Sequence, residues 1–289
     1  MKLKGKNAII TGANQGLGFE IAKHFVSEGG SVMLCARNSE KLIQCQTALL
    51  DLKIPGVKVL IKATDVSKRA DVEALVAETL TQLGKIDVLV ANAGVYGTKG
   101  PIEEIDWDEW SDSIDINLKG TVLACRSVIA HFKQNRYGKI IILSGGGATK
   151  PMPFLSAYAA SKAAVVRFAE TLSEEVKSFG IDVNSVAPGA LNTRLLDEML
   201  EAGPEKVGKQ HYEQSLKQQT EGGTPLSVGA SLCVFLASTF SDGITGKLIS
   251  AVWDPWKKFP EYSEDLKNSD IYTLRRITPA DRGKEWGNV

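Results

Sequence analysis

Residues 7–18 read Asn7-Ala8-Ile9-Ile10-Thr11-Gly12-Ala13-Asn14-Gln15-Gly16-Leu17-Gly18. Asn7–Thr11 is a short apolar, β-prone run. Apolar residues then recur at helical spacing, at Leu17, Ile21, Ala22 and Phe25. Three glycines stand between strand and helix. Gly12 permits a tight turn, Gly16 lets the backbone approach a pyrophosphate, and Gly18 lets the helix sit close to the strand. Backbone N–H groups at the helix start then face the anion. Glycines also mark ordinary loops. Position favours the phosphate-binding reading here, because the turn follows the first strand and opens the first helix.

Outward from this unit, the pattern repeats. Further β-rich runs occur at Ser31–Ala36, Val57–Ala63, Ile86–Ala91, Lys139–Ser144 and Ile181–Ala187, each bounded by Gly, Pro, Asn or Asp. Helical stretches lie between them, such as the face made by Val72, Leu75, Val76 and Leu80. Alternating strands and helices imply βαβ units and a parallel sheet with right-handed crossovers. The runs are almost continuously apolar, as expected where helices cover both faces.

The rest of the composition narrows the class. The chain has 289 residues, with 34 Lys+Arg against 34 Asp+Glu. Zero net charge argues against a broad basic nucleic-acid surface. The longest apolar runs, such as Ile140–Leu143, fall far short of the roughly 20 residues that span a bilayer. Met1–Lys6 is basic, but the apolar stretch after it is short, so no signal peptide is expected. Cys35, Cys45, Cys125 and Cys233 show no metal or disulfide spacing, and three histidines leave little room for a metal site. A cytoplasmic α/β enzyme without a metal, a membrane partner or a nucleic-acid partner is the expectation.

No linker divides residues 1–250. Arg194–Gly223 is long, polar and helix-prone. Trp253–Val289 holds three of the five tryptophans and reads as a loop-rich appendage. Its aromatic residues suit either packing on the same subunit, which is favoured, or stacking on a ligand.

Taken in order, the motifs resemble the short-chain dehydrogenase/reductase family, in its common single-domain branch with TGxxxGxG and YxxxK motifs. Asp65-Val66 matches the adenine contact after the third strand. Asn92-Ala93-Gly94 matches the NAG turn. Asn117, in Ile116-Asn117-Leu118-Lys119-Gly120, matches the helix asparagine, and Tyr158-Ala159-Ala160-Ser161-Lys162 matches YxxxK. Pro188-Gly189 ends the sixth strand, and Thr193 follows where the family holds the nicotinamide carboxamide. Ile244-Thr245-Gly246 precedes a last strand. The resemblance covers roughly residues 5–252. It implies a single doubly wound, Rossmann-like domain over 1–252. That domain would carry a parallel seven-stranded sheet with helices on both faces, a substrate lid near 190–223 and a C-terminal extension over 253–289. It also implies a homodimer or homotetramer.

The implied cofactor site comprises Gly12, Asn14, Gln15, Gly16, Leu17, Gly18, Arg37, Asp65, Val66, Asn92, Ala93, Gly94, Tyr158, Lys162, Pro188, Gly189, Leu191 and Thr193. An acid at the end of the second strand would bind the ribose 2′-OH and favour NAD. This chain has Ala36 there, with Arg37 next to it, and a guanidinium suits a 2′-phosphate by charge and fork geometry. NADP is therefore favoured, with NAD as the alternative.

Tyr158 and Lys162 are spaced i, i+4, one turn apart on one helix face. A free phenol has a pKa near 10, and an adjacent ammonium would lower it. Tyr158 is thus the expected general acid or base toward a carbonyl or alcohol. By resemblance Lys162 also holds the ribose, and Asn117 supports a proton relay. The family's serine departs from its usual place. Ser144 lies 14 residues before Tyr158, one more than the usual spacing, which would put Gly145 at the serine position. Ser144 is preferred for polarising the carbonyl, because the glycine run permits unusual backbone paths. A cofactor-binding regulator without turnover is the alternative function.

Overall fold

In the computed structural model, which describes residues 1–286, the apolar runs form seven parallel strands. They are β1 (Asn7–Thr11), β2 (Ser31–Ala36), β3 (Val59–Ala63), β4 (Val88–Ala91), β5 (Gly138–Leu143), β6 (Ile181–Ala187) and β7 (Leu248–Ser250). Their order is β3-β2-β1-β4-β5-β6-β7. Two strands start later than the apolar pattern suggests. The Val57 N–H turns back to the Ile54 carbonyl, and the Ile86 N–H donates to the His131 ring.

Both faces are buried, and alternation along each strand divides them. Ala8, Ile10, Val32, Leu34, Val88, Val90, Ile141 and Leu143 face one core. There they meet α1 (Gly16–Ser27), α2 (Ser39–Leu50) and, after two of the crossovers, the helix Leu226–Ala237. Ile9, Met33, Cys35, Leu89, Ala91, Ile140 and Ile142 face the other, against α3 (Arg69–Leu83) and two long helices described next.

Helix α4 (Trp107–Ile114) runs through a π-helical turn at Asp115–Lys119 into α5 (Gly120–Asn135), and α6 (Ser156–Val176) lies beside it. The expected lid forms two helices, α7 (Arg194–Val207) and α8 (Lys209–Glu221), before α9 (Leu226–Ala237). Helix α7 breaks at Gly203, with φ +77°, directly before Pro204. A proline removes an N–H donor, and a glycine accepts the left-handed backbone, so the break falls where both stand.

The residues after Val252 pack onto the first core. Trp256, Phe259 and Leu266 are buried there, the last on α10 (Ser263–Lys267). Farther on, the Leu248 N–H donates to the Tyr272 carbonyl at 2.7 Å, and Lys247 Nζ donates to Ser269 and Ile271 carbonyls. The segment therefore runs along the otherwise free edge of β7. Trp253, Tyr262, Ile277 and Trp286 stay exposed, Trp253 at 84% the most. The last three residues of the 253–289 extension lie outside the described residues. No helix among the described residues is long and apolar enough to cross a membrane.

Candidate active site

The strand order reverses direction between β1 and β4, and a crevice opens there beyond the carboxyl ends of the strands. One cavity of about 1230 Å³ fills it. The glycine turn forms one end. Gly12 and Gly16 have φ of +64° and +55°, a backbone that only glycine adopts freely. Gly18 serves closeness instead: a β-carbon there would stand 2.3 Å from the Gly12 carbonyl oxygen. Gln15 precedes α1 without capping it through its side chain, so the first-turn N–H groups stay available to an anion.

Asn92 and Thr11 pin this turn to the end of β4. Asn92 Nδ2 donates to the Thr11 and Gly12 carbonyls at 2.9 and 3.1 Å. Thr11 Oγ1 accepts from the Asn92 and Ala93 N–H groups. The Asn92 amide nitrogen is thereby committed to the protein itself, although the residue lines the cavity. Asn14, Leu17, Val66, Gly94, Pro188, Gly189, Leu191 and Thr193 line it too.

At the far rim stand Arg37 and Asp65. Burial opposes ionisation of Asp65, but hydrogen bonds from Ser67 and the Arg37 guanidinium outweigh it and hold the carboxyl below its ordinary value. A second cation joins them. Lys41 reaches back from the first turn of α2 to Gln15 Oε1 at 3.2 Å and lines the same rim. Its spacing of four from Arg37, just inside the second helix, is the signal in the sequence that marks it.

The Tyr158 and Lys162 pair lies at the other end. Tyr158 and Lys162 share one face of α6, and both are buried. The Lys162 ammonium sits 5.7 Å from the Tyr158 ring centroid and donates to the Leu143 carbonyl at 2.8 Å. Burial lowers Lys162 to a pKa of about 8. Burial also pushes the Tyr158 phenol up, and Tyr96 adds to this. The shift of Tyr158 is thus upward, set first by burial, where the Tyr-Lys spacing suggested a lowering.

Asn117 sits in the π-helical turn, a feature often found at functional sites. Its Oδ1 accepts from the Val95 N–H at 2.9 Å, and its Nδ2 donates to the Val95 carbonyl and to Ser161 Oγ. It thus ties the loop after β4 to α6, one residue from Lys162. Ser161 and Val95 as its partners carry no motif of their own.

Ser144 is not hydrogen-bonded to Tyr158. Its Oγ faces the Lys162 carbonyl at 3.4 Å, a long contact. A β-carbon built at Gly145 would stand 2.6 Å from the Tyr158 hydroxyl. The residue facing the tyrosine is Gly145, the register set against Ser144 above. Around Tyr158 lie Tyr96, Met152, Leu155, Met199 and Val207. Tyr96 meets the ring edge-on, with centroids 4.6 Å apart. From α8, His211, Gln214, Ser215 and Gln218 face the same cavity at helical spacing, and Trp253 stands at its rim.

A glycine cradle and a Tyr–Lys pair at the two ends of one crevice define a nucleotide-dependent oxidoreductase of the single-domain α/β class. Comparison with known proteins agrees: residues 6–203 match the family model for short chain dehydrogenases, and the chain belongs to that family. Glucose 1-dehydrogenase of Gluconobacter oxydans is 39% identical over 193 residues, covering 66% of this chain and 71% of its own. 3β-Hydroxysteroid dehydrogenase 1 of Eggerthella lenta is 35% identical over 250 residues, covering 84% and 91%. Among solved structures, levodione reductase superposes with a TM-score of 0.79 at 28% identity, over 86% of this chain and 96% of that one. The relatives are dehydrogenases and reductases that act on alcohol or carbonyl groups, and this chain is an oxidoreductase of the same kind.

Proposed function

We propose that the chain transfers hydride between NADP and a small carbonyl or secondary-alcohol substrate, with Tyr158 as general acid or base. The observation that carries this reading is the sharing of one cavity by the glycine turn, Arg37, Tyr158 and Lys162. The residues present fit the cofactor. The Lys162 ammonium has three donors but one protein acceptor, which leaves two for ribose hydroxyls. Among the described residues the Tyr158 hydroxyl has no hydrogen-bond partner, and Tyr158 lines the cavity.

When bound, the nicotinamide supplies or accepts the hydride at its C4. The first-turn N–H groups of α1 hold the pyrophosphate, and Arg37 with Lys41 holds a 2′-phosphate. Tyr158 gives its proton to the carbonyl oxygen in reduction and takes it back in oxidation. Lys162 fixes the ribose beside it, and Asn117 holds the Val95 backbone and α6 in register. Ser144 does not act on the substrate in this reading. Helices α7 and α8 form the lid over the substrate.

Tyr158→Phe tests the assignment. It removes only the hydroxyl, so turnover with a panel of carbonyls should vanish while NADPH still binds with wild-type affinity in a fluorescence titration. Full activity in that variant would end the mechanism.

A further inference from the structure

The side chains packed around Tyr158 are poor in hydrogen-bond donors. Met152, Leu155, Met199 and Val207 are apolar, Gly145 carries no side chain, and Ser144 Oγ turns to the Lys162 carbonyl. Tyr96 is different. It belongs to the same cluster, and its ring stands edge-on to that of Tyr158 with centroids 4.6 Å apart. Both tyrosines line the cavity, and among the described residues neither hydroxyl has a hydrogen-bond partner.

The main chain on either side of Tyr96 is fixed. Before it, the Val95 N–H donates to Asn117 Oδ1 and the Val95 carbonyl accepts from Asn117 Nδ2, both at 2.9 Å. After it, Gly97 has φ +68°, and a β-carbon there would collide with Ser113 Oγ on α4. That left-handed, crowded position suits glycine alone. The phenol is therefore held in place before any ligand arrives, as a catalytic dipole should be. Burial raises its pKa and Glu198 adds to this, so the hydroxyl stays a neutral donor around neutral pH.

We propose that Tyr96 is a second catalytic tyrosine: its hydroxyl donates a hydrogen bond to the same substrate oxygen that Tyr158 protonates, in the role for which the family resemblance expects a serine. The inference rests on the assignment of Tyr158 as acid and base. In reduction, hydride adds to the carbonyl carbon, the π pair moves onto oxygen, and the Tyr158 proton ends on that oxygen. Tyr96 keeps its own proton and stabilises the negative charge while it builds. Oxidation is the reverse. Such a bond is stronger in the transition state than in the ground state, so its loss lowers kcat and kcat/KM together.

The test is Tyr96→Phe, which keeps the ring and its edge-on packing and removes only the hydroxyl. With 2,3-butanedione as substrate and NADPH as reductant, kcat and kcat/KM should both fall by about 10²-fold, the scale of one lost oxyanion donor. NADPH affinity and the thermal midpoint should stay at wild-type values. A second readout needs no turnover. Cyclohexanone is bound together with oxidised cofactor, and its carbonyl stretch is recorded by isotope-edited infrared spectroscopy. Each donor to the oxygen lowers that stretch, so it should lie lower in the wild type than in Tyr96→Phe. A Tyr96→Phe enzyme with wild-type kcat overturns the proposal, and so does one carbonyl frequency common to both proteins. Tyr158→Phe with full activity would instead overturn the underlying assignment of Tyr158.

Discussion

Removing the two rim cations should change which cofactor the protein prefers while leaving its chemistry alone. The perturbation is Arg37→Ala together with Lys41→Ala. Both side chains are solvent-exposed and border the cavity at the end of β2, where Ala36 stands in place of an acid. Two unit charges 4 Å apart attract by about 1 kcal/mol in bulk water and about 4 kcal/mol at an effective dielectric of 20. Exposure places this rim toward the lower figure, so each cation contributes roughly 1–2 kcal/mol to a bound 2′-phosphate. Asp65 sets an anion close to Arg37 and keeps its share modest. The double variant should therefore bind NADPH about 30- to 700-fold more weakly, with each 1.4 kcal/mol counting tenfold. NADH lacks that phosphate, and its affinity should hold. The assay is nicotinamide fluorescence titration with both cofactors at low and high ionic strength. Wild-type preference should shrink with salt, because the Debye length falls from ~10 Å at 0.1 M to ~3 Å at 1 M. Equal weakening of both cofactors, or none, would refute the assignment of these residues to the 2′-phosphate.

Two stability predictions follow from charges buried in the fold. Lys139, 2% exposed, places its ammonium 2.6 Å from Asp182 and 2.7 Å from Asp242; Lys139→Met leaves the buried Asp182 carboxylate without its cation and should cost about 3–5 kcal/mol in urea denaturation. Adding Asp182→Leu should recover most of that loss, and a single-variant cost near zero would refute the pairing. Lys162, lowered by burial to about 8, ionises at an ordinary 10.5 when unfolded. Between those values the unfolded chain holds a proton that the folded one has released, so stability rises with pH across that window, by on the order of 3 kcal/mol. The cofactor-free wild type should gain this relative to Lys162→Met between pH 8 and 10.5, and parallel pH profiles would count against it.

The sheet was legible because both of its faces are covered: Ala8–Ile10 and Val32–Ala36 are unbroken apolar runs, and the bounds read as Asn7–Thr11 and Ser31–Ala36 coincide with the observed strands. The glycine turn was legible from its place between strand and helix. The phase of the residues after β5 was harder to read. Three consecutive glycines carry no side chains to indicate which one faces the tyrosine, so spacing alone left Ser144 and Gly145 both open. Contacts across sequence distance were also hidden. Lys41 meets Gln15 through the curl of α2, and Asn117 meets Val95 through a π-helical turn that no residue pattern announced. The lid read as helix-prone and polar, but its division at Gly208, with φ +78°, depends on how Phe154 packs where a β-carbon would stand.

The pairing of Tyr158 with Lys162 shows why spacing alone does not give reactivity. A separation of four residues brings the ammonium to the ring, 5.7 Å from its centroid, and the lysine donates to the Leu143 carbonyl. Burial acts on both groups against charge: the phenol is held above its ordinary value and the ammonium falls to about 8. Lowering the phenol therefore requires further positive charge on the ligand side of the site. Oxidised nicotinamide carries such a charge, and a bound ribose would also keep Lys162 turned toward the centre. Tyr158 should thus ionise above an ordinary phenol in the cofactor-free protein and shift downward on saturation with oxidised cofactor. The ultraviolet difference titration of wild type minus Tyr158→Phe isolates this one tyrosine among six. Ionisation near neutral pH without cofactor would mean that Lys162 suffices by itself to overcome desolvation. An unchanged titration on adding the oxidised cofactor would remove the ligand's charge from the mechanism.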